Sequence, residues 1–168
     1  MNAPRQIISI DLGSGRFNLR AAAIALREGR VLVHRAQWDT HWTLPGGRVE
    51  VGEESDVALA REIEEEMGVI ARIGALRFVM ENFFSYNGIS FHEMGLYYTV
   101  TLPEAFPFRV DGEICHECVD GNAHLQFKWV DAREPSLTEI GFQPERLRGR
   151  LLGSDAGLTH ITHREAER

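Results

Sequence analysis

Residues 47–69 read GRVEVGEESDVALAREIEEEMGV, and this stretch indicates both local structure and chemistry. Ser55 is a typical N-cap residue and Gly68 a typical stop, so we expect a helix over residues 55–67. Its predicted core-facing stripe consists of four residues at helical spacing: Val57, Ala60, Ile63 and Met67. The preceding residues 42–47 (WTLPGG) contain a proline and two glycines, which predict a tight loop.

Acidic side chains are concentrated in the same stretch. Eight of them lie between residues 50 and 66, where Arg61 is the only base. On a helix, Glu62, Glu65 and Glu66 share one face at spacings that bring like charges about 5–6 Å apart. Such a cluster needs a counter-charge, and hard divalent cations bind carboxylate oxygens. A solvated acidic face is the alternative, so the helix alone leaves Mg²⁺ binding and an ordinary charged surface open.

The stretch also matches a known pattern, G-x₅-E-x₇-R-E-U-x-E-E-x-G-U, in which U is a bulky aliphatic residue. The matching residues are Gly47, Glu53, Arg61, Glu62, Ile63, Glu65, Glu66, Gly68 and Val69. The chain therefore resembles the Nudix hydrolase family, whose box has this pattern. Residues 42–47, residues 127–130 (FKWV) and a Pro144-containing helix are also similar to the family. The resemblance thus extends over most of the chain, with the box as its specific part.

The resemblance implies a fold and a reaction. Nudix proteins are α/β/α sandwiches that hydrolyse a nucleoside diphosphate linked to another group, X, with Mg²⁺ or Mn²⁺ on the box helix. We therefore expect an α+β fold, a mixed β-sheet with the box helix and a C-terminal helix. The expected reaction is hydrolysis of a pyrophosphate linkage in a nucleotide or dinucleotide polyphosphate. In it, water activated by the metal attacks phosphorus.

The box residues take roles by the same resemblance. Glu62, Glu65 and Glu66 would be the metal ligands. Arg61 would orient a glutamate through a charge-assisted bond, with Glu53 as its partner or as an additional ligand. Glu65 is also a candidate general base. Because this family often supplies the base from outside the box, three further glutamates remain candidates: Glu93, Glu113 and Glu117.

Substrate contacts are expected from four residues: Gly46, Gly47, Arg35 and Tyr86. Glycine at position 47 would allow the backbone to approach the helix and the metal. Tyr86 lies near the place where diadenosine polyphosphate hydrolases of this family have a tyrosine. ADP-ribose hydrolases of the family have a proline at about position 84, and its absence here disfavours that substrate. Three more residues before the box are expected to line the pocket: His34, Trp38 and His41.

The remaining sequence predicts mostly strands. They are expected over residues 5–10, 17–26, 30–35, 70–82, 89–101, 124–131 and 158–163. A loop is expected over residues 103–123, and a helix broken by Pro144 over parts of 135–152. No repeat or linker is present in the sequence, so we expect one domain over residues 1–168.

Composition excludes several classes of protein. The chain has 168 residues and a net charge of −7, whereas stable nucleic-acid binding needs a basic face. No apolar run approaches the roughly 18 residues that span a membrane, and residues 1–10 are too polar for a signal peptide. We therefore expect a cytoplasmic protein with a small-molecule substrate, without membrane contact; homodimerisation remains open. Cys115 and Cys118 are too few for a disulfide scaffold and leave a zinc or redox role as a minor alternative.

Two other classes of function compete with a hydrolase. One is a catalytically idle Nudix domain that binds a nucleotide as a sensor. The other is a purely structural acidic domain. Idle versions typically lose box carboxylates, and this chain retains all of them. The sequence therefore favours a pyrophosphohydrolase.

Overall fold

The computed structural model describes residues 5–153 and 157–165, which form nine strands and two α-helices. The strands are β1 (Ser9–Asp11), β2 (Arg16–Arg27), β3 (Arg30–Ala36), β4 (Gly46–Arg48), β5 (Arg72–Tyr86), β6 (Ile89–Thr101), β7 (Ile114–Asp120), β8 (Ala123–Asp131) and β9 (Thr159–Arg164). The helices are α1 (Ser55–Met67) and α2 (Glu134–Glu139), and a short 3₁₀ helix covers Glu145–Leu147. None of the helices described is long and apolar enough to cross a bilayer.

Strand β2 is the centre of the sheet. The strand order is β7-β8-β3-β2-β6-β5-β9, and β1 and β4 also pair with β2. β2 runs parallel to β6, and β5 runs parallel to β9, whereas the other pairs are antiparallel. β3 pairs with β2 only at their hairpin and then follows β8 along its whole length. The sheet therefore divides beyond this hairpin, and β4 pairs with β2 there.

Each face of the sheet carries its own hydrophobic core. Successive β2 side chains point to opposite faces. Ala21, Ala23 and Ala25 pack with α1 in one core, whereas Ala22 and Ile24 pack with α2 and the C-terminal segment in the other. This arrangement is a mixed sheet between two helical layers, so the predicted α+β fold with an α/β/α sandwich is confirmed.

Helix α1 has the predicted bounds but a different start and a different buried face. Glu54 is its N-cap, and Ser55 lies inside the first turn, where its hydroxyl pairs with that of Tyr98 at 2.6 Å. The predicted core-facing stripe was wrong at Val57, which is 52% exposed. The buried face instead carries Ala58, Leu59, Ile63, Glu66 and Met67. Its centre, between Leu59 and Ile63, lies about 140° around the helix from Val57.

Several other boundaries differ from the sequence expectations. Of residues 5–10, only the end joins strand β1, and Ile7 forms a single bridge to Glu50. Residues 46–48 form β4 rather than a loop, because they pair with Arg20–Ala22 of β2. The expected 103–123 loop contains β7, so the C-x-x-C pair lies on an edge strand with both thiols free. The helix expected within 135–152 is reduced to α2 and the 3₁₀ turn.

Candidate active site

Two adjacent glycines bring strand β4 close to its neighbours. Gly46 has φ of +152°, and a Cβ there would lie 2.1 Å from the carbonyl oxygen of Ala21. A Cβ on Gly47 would lie 2.2 Å from the carboxyl carbon of Glu62. Real Cβ atoms do not approach other atoms so closely. The first glycine is therefore required by the sheet, and the second leaves the space that the Glu62 carboxylate occupies.

Arg61 links the loop before α1 to the helix. Its guanidinium donates to both carboxylate oxygens of Glu53, at 2.8 and 2.9 Å, and to Glu62 at 2.8 Å. A weaker contact of 3.4 Å reaches Glu65. The hydrogen bonds from Arg61 lower the pKa of Glu53 and raise that of Arg61. A fork of this kind fixes both partners, so the loop and the acidic helix face are held in one geometry.

Glu66 is the buried acid of the site. Glu66 is 8% exposed, and its Oε2 lies 3.8 Å from Nδ1 of His34. This nitrogen is buried and has no hydrogen-bond partner. Burial, followed by the charge of Glu62, raises the pKa of Glu66 to about 8. Burial also lowers the pKa of His34 to about 3, so this imidazole is neutral at neutral pH and supplies no positive charge. The charge of Arg20 lowers the pKa of Glu66 but does not offset burial, so a cation bound beside Glu66 would favour its charged form.

The donor chemistry of the site fits a hard divalent cation. The Glu62 and Glu66 side chains are 15% and 8% exposed and lie one turn apart on α1. Glu65, the third predicted ligand, is 37% exposed and pairs with Arg5 and Arg61. Within residues 5–153 and 157–165, no three acidic, histidine or cysteine side chains already converge as a metal cage. The arginine contacts of Glu62 and Glu65 explain this, because they turn both carboxylates toward guanidinium groups.

A large cleft of about 1490 Å³ is lined by β2, β5, β6 and the segment before β4. Two arginines on its floor, Arg20 and Arg48, are directly paired between β2 and β4. Burial, followed by the charge of Arg20, lowers the pKa of Arg48. The charge of Arg20 also acts on Glu66, and the charge of Glu62 acts on Arg48. Two like charges of this kind, placed beside the box carboxylates, suit an anionic ligand.

The candidate substrate residues divide into two groups. Tyr86, Trp38 and His41 line the cleft, and the Tyr86 hydroxyl donates to Asp39 at 2.8 Å. Arg35 does not line the cleft; its guanidinium lies 4.5 Å from the centre of the Trp42 ring. The contact of Arg35 with substrate stays a prediction, and the structure places this residue outside the cleft. The cause is its position in β3, beyond the point at which β3 leaves β2.

The candidate bases outside the box also separate. Glu93 is 8% exposed and lines the cleft floor. Glu113 is exposed just before β7, and Glu117 is exposed within β7, two strands beyond β3. Neither Glu113 nor Glu117 lines the cleft. Glu117 instead accepts a hydrogen bond from Gln126 at 3.0 Å on the surface of β7 and β8. Of the three, the fold brings Glu93 alone to the cleft.

Sequence reasoning missed four polar residues of the cleft floor: Asn18, Arg20, Arg48 and Asn82. A signal for Asn18 and Arg20 was present, because polar and apolar residues alternate over residues 16–20 (RFNLR). Such alternation predicts one polar face on a strand. Arg48 and Asn82 carried no comparable signal, because each meets the cleft only through pairing with strands distant in sequence.

Comparison with known proteins gives partial matches in sequence and broader ones in structure. Diphosphoinositol polyphosphate phosphohydrolase 2 of Rattus norvegicus is 39% identical over 70 residues, which are 39% of this chain and 39% of that protein. Diphosphoinositol polyphosphate phosphohydrolase 3-alpha of Mus musculus is 39% identical over 69 residues, 39% of this chain and 42% of that protein. The match thus spans about two fifths of these curated relatives.

Among solved structures, a MutT NUDIX hydrolase from Burkholderia pseudomallei has a TM-score of 0.52 and 26% identity, over 69% of this chain and 84% of its own. A NUDIX hydrolase from Nitrosomonas europaea has a TM-score of 0.56 and 19% identity, over 87% of this chain and 77% of its own. This second likeness shows the fold alone. The model of the NUDIX domain matches residues 17–148, which include the box helix, the central strand β2 and the cleft residues on β5 and β6. On this match and on the fold, the chain belongs to the Nudix family.

Proposed function

We propose that the chain is a metal-dependent hydrolase that cleaves a pyrophosphate linkage in a nucleoside diphosphate derivative. The observation that carries this is that strand β4 connects the box acids with the arginines of the cleft. Gly47 abuts the Glu62 carboxylate, and the next residue, Arg48, pairs with Arg20 in the cleft. The charge of Glu62 acts on Arg48, and the charge of Arg20 acts on Glu66. A phosphate chain matches both sets, since it can bind a divalent cation and two guanidinium groups together.

The metal would be Mg²⁺ or Mn²⁺, held by Glu62 and Glu66 and, after it leaves Arg5 and Arg61, by Glu65. When bound, the metal would neutralise phosphate charge and lower the pKa of a water molecule. Arg61 keeps Glu53 and Glu62 in position through its fork of hydrogen bonds. The proton released by the attacking water would pass to a carboxylate, for which Glu65 and Glu93 are the candidates that remain.

The remaining chain residues bind and orient the substrate. Arg20 and Arg48 would hold phosphate oxygens that the metal does not reach. Gly47 leaves room for the Glu62 carboxylate and for close approach of the β4 backbone. Trp38, Tyr86 and other aromatic residues form the wall of the cleft, where they would exclude water from the bound group.

The test is a panel of nucleoside diphosphate sugars, dinucleotide polyphosphates and a diphosphoinositol polyphosphate. The last compound is included because the names of the rat and mouse relatives refer to it. Each is incubated with Mg²⁺ or Mn²⁺, and phosphate is measured after phosphatase coupling. Metal-dependent turnover of at least one compound supports the proposal. Nucleotide binding by isothermal titration calorimetry without turnover of any panel member would instead assign the domain to the idle, sensing class.

In ¹⁸O-labelled water the label should appear on a phosphate product, because attack is at phosphorus. Label in an acyl product, or a trapped covalent adduct, would contradict this chemistry.

A further inference from the structure

A row of three polar side chains crosses the cleft floor. Asn18 on β2, Glu93 on β6 and Asn82 on β5 are direct neighbours in register. All three line the cleft and are 3%, 8% and 8% exposed. Burial raises the pKa of Glu93, whereas the charges of Arg20 and Arg48 and the amides of Asn18 and Asn82 favour its charged form. The two amides therefore flank this carboxylate as polar partners.

The row retains unused capacity to accept hydrogen bonds. An ionised carboxylate accepts about four hydrogen bonds, so the two flanking amides cannot use all of the acceptor sites of Glu93. The Oδ1 of Asn82 is buried without a hydrogen-bond partner. The Oδ1 of Asn18, in contrast, accepts from Ser9 at 2.7 Å. The floor thus has a surplus of acceptors, which suits a ligand that presents N–H groups.

An aromatic pair adjoins the row. Phe84 and Phe91 are in register, two residues along β5 and β6 from Asn82 and Glu93, and so point to the same face. Their rings are stacked, with centroids 5.1 Å apart and planes 7° from parallel. One such step along a strand is about 7 Å, close to the width of a heteroaromatic ring. A planar ring that lies against this pair can therefore direct its edge at Glu93.

The charges around the row separate two kinds of ligand group. The charges of Arg20 and Arg48 both act on Glu93. Arg20 lies two residues along β2 from Asn18, on the side of the row away from Phe91, and Arg48 pairs with it. A phosphate suits the two arginines, whereas a phosphorylated group beside Glu93 would face a negative charge. The position beyond the arginines therefore selects an uncharged group.

We propose that Glu93, flanked by Asn18 and Asn82, is a specificity-determining residue that binds the nucleobase of the substrate through its N–H edge. Guanine is the base that fits best, because N1–H and the exocyclic amino group are adjacent donors that match one carboxylate. The same residue disfavours ligands that carry several phosphates on a ring, such as diphosphoinositol polyphosphates. This inference rests on the proposed function and names the substrate class of that site.

The test compares the wild-type protein with Glu93→Gln, which keeps the volume and removes the charge. For each protein, kcat/KM is measured with GDP-, ADP- and UDP-glucose and with a diphosphoinositol polyphosphate. We expect the wild-type protein to prefer GDP-glucose and the variant to lose that preference by about 10- to 100-fold, mainly through KM. The ratio of kcat/KM for the diphosphoinositol compound to that for GDP-glucose should rise in the variant. Glu104→Gln changes an exposed acid outside the cleft and serves as the matched control.

A second readout needs no turnover. Binding of GMP, AMP and UMP in EDTA is measured by calorimetry, and GMP should bind most tightly to the wild-type protein and lose this advantage in Glu93→Gln. Asn82→Leu removes one amide beside Glu93. It should weaken GMP binding as Glu93→Gln does. Circular dichroism establishes that the variants are folded.

The outcomes distinguish this inference from the proposed function. If no compound is hydrolysed in the presence of metal, the proposed function fails, while GMP binding still tests Glu93. If Glu93→Gln lowers kcat equally for all substrates and leaves KM unchanged, Glu93 is a general base and the specificity role is overturned. Unchanged ratios in both readouts also overturn it.

Discussion

Substitution of the two adjacent glycines of β4 by alanine should separate stability from metal binding. At Gly46 an added Cβ would meet backbone atoms, 2.1 Å from the oxygen of Ala21 and 2.7 Å from Cα of Ala22. The positive φ of Gly46 adds backbone strain. Together, overpacking and strain should cost about 4 kcal/mol, which lowers the Tm of a domain of this size by about 10 °C.

At Gly47 the added Cβ would meet the end of the Glu62 side chain, 2.2 Å from its carboxyl carbon. That side chain can rotate away, so Gly47→Ala should cost only about 1 kcal/mol of stability and about 3 °C in Tm. The rotation removes the carboxylate from its place beside β4. We therefore expect the Kd for Mn²⁺ to rise about 10- to 100-fold and kcat to fall about 100-fold.

Calorimetric unfolding in EDTA gives Tm for both variants, and Mn²⁺ titration gives the Kd. The two variants should give a crossed result, with a large loss of Tm in Gly46→Ala and a large loss of metal affinity in Gly47→Ala. If Gly47→Ala binds Mn²⁺ as tightly as the wild-type protein, the Glu62 carboxylate is not a ligand in the place assigned to it. If Gly46→Ala keeps the wild-type Tm, the close pairing of β4 with β2 is refuted.

Three further predictions concern the box. Glu66→Gln replaces a buried acid, whose pKa is raised to about 8, by a neutral side chain of the same size, so in EDTA its Tm should equal or exceed that of the wild-type protein. Its Mn²⁺ Kd should rise at least about tenfold, and a lower Tm would refute the first part. Arg61→Lys cannot keep both hydrogen bonds to Glu53 and should lower kcat about tenfold or more. The control Arg133→Lys alters the exposed pair with Asp131 and should leave kcat unchanged. Equal effects of the two variants would show that the Arg61 fork has no special role. EDTA should abolish hydrolysis and added Mg²⁺ or Mn²⁺ restore it, a result that full turnover in metal-free buffer would contradict.

Local patterns predicted the elements well, and pairing between distant segments accounts for most of the differences. Strand β6 lies at residues 89–101 and α1 at 55–67, as the sequence indicated. Strands β4 and β7 could not be predicted from local sequence. The glycine-rich β4 follows Pro45 and forms a strand only by pairing with β2. The segment of β7 contains acidic residues and forms a strand by pairing with β8. Long-range pairing, not local propensity, determines such strands.

The candidate site shows the same division. The resemblance to the Nudix box implied a contact between Arg61 and Glu53, and the structure contains it. The burial of Glu66 was not predicted, because a carboxylate in a core face contradicts the usual burial of apolar residues. The roles of the box residues, the single domain over 1–168, a cytoplasmic location and a homodimer stay predictions.

The central strand also determines how the molecule opens. From Ala21 to Ala25, every residue is at most 2% exposed, and neighbours in this run belong to opposite cores. Separation of one core from the sheet would expose Ala21, Ala23 and Ala25, and separation of the other would expose Ala22 and Ile24, so both cores depend on this one short run. The two sides should therefore unfold together, and the amide protons of this run should exchange with solvent only by global unfolding. Substitutions anywhere in either core would then change the exchange rate of the same few amides.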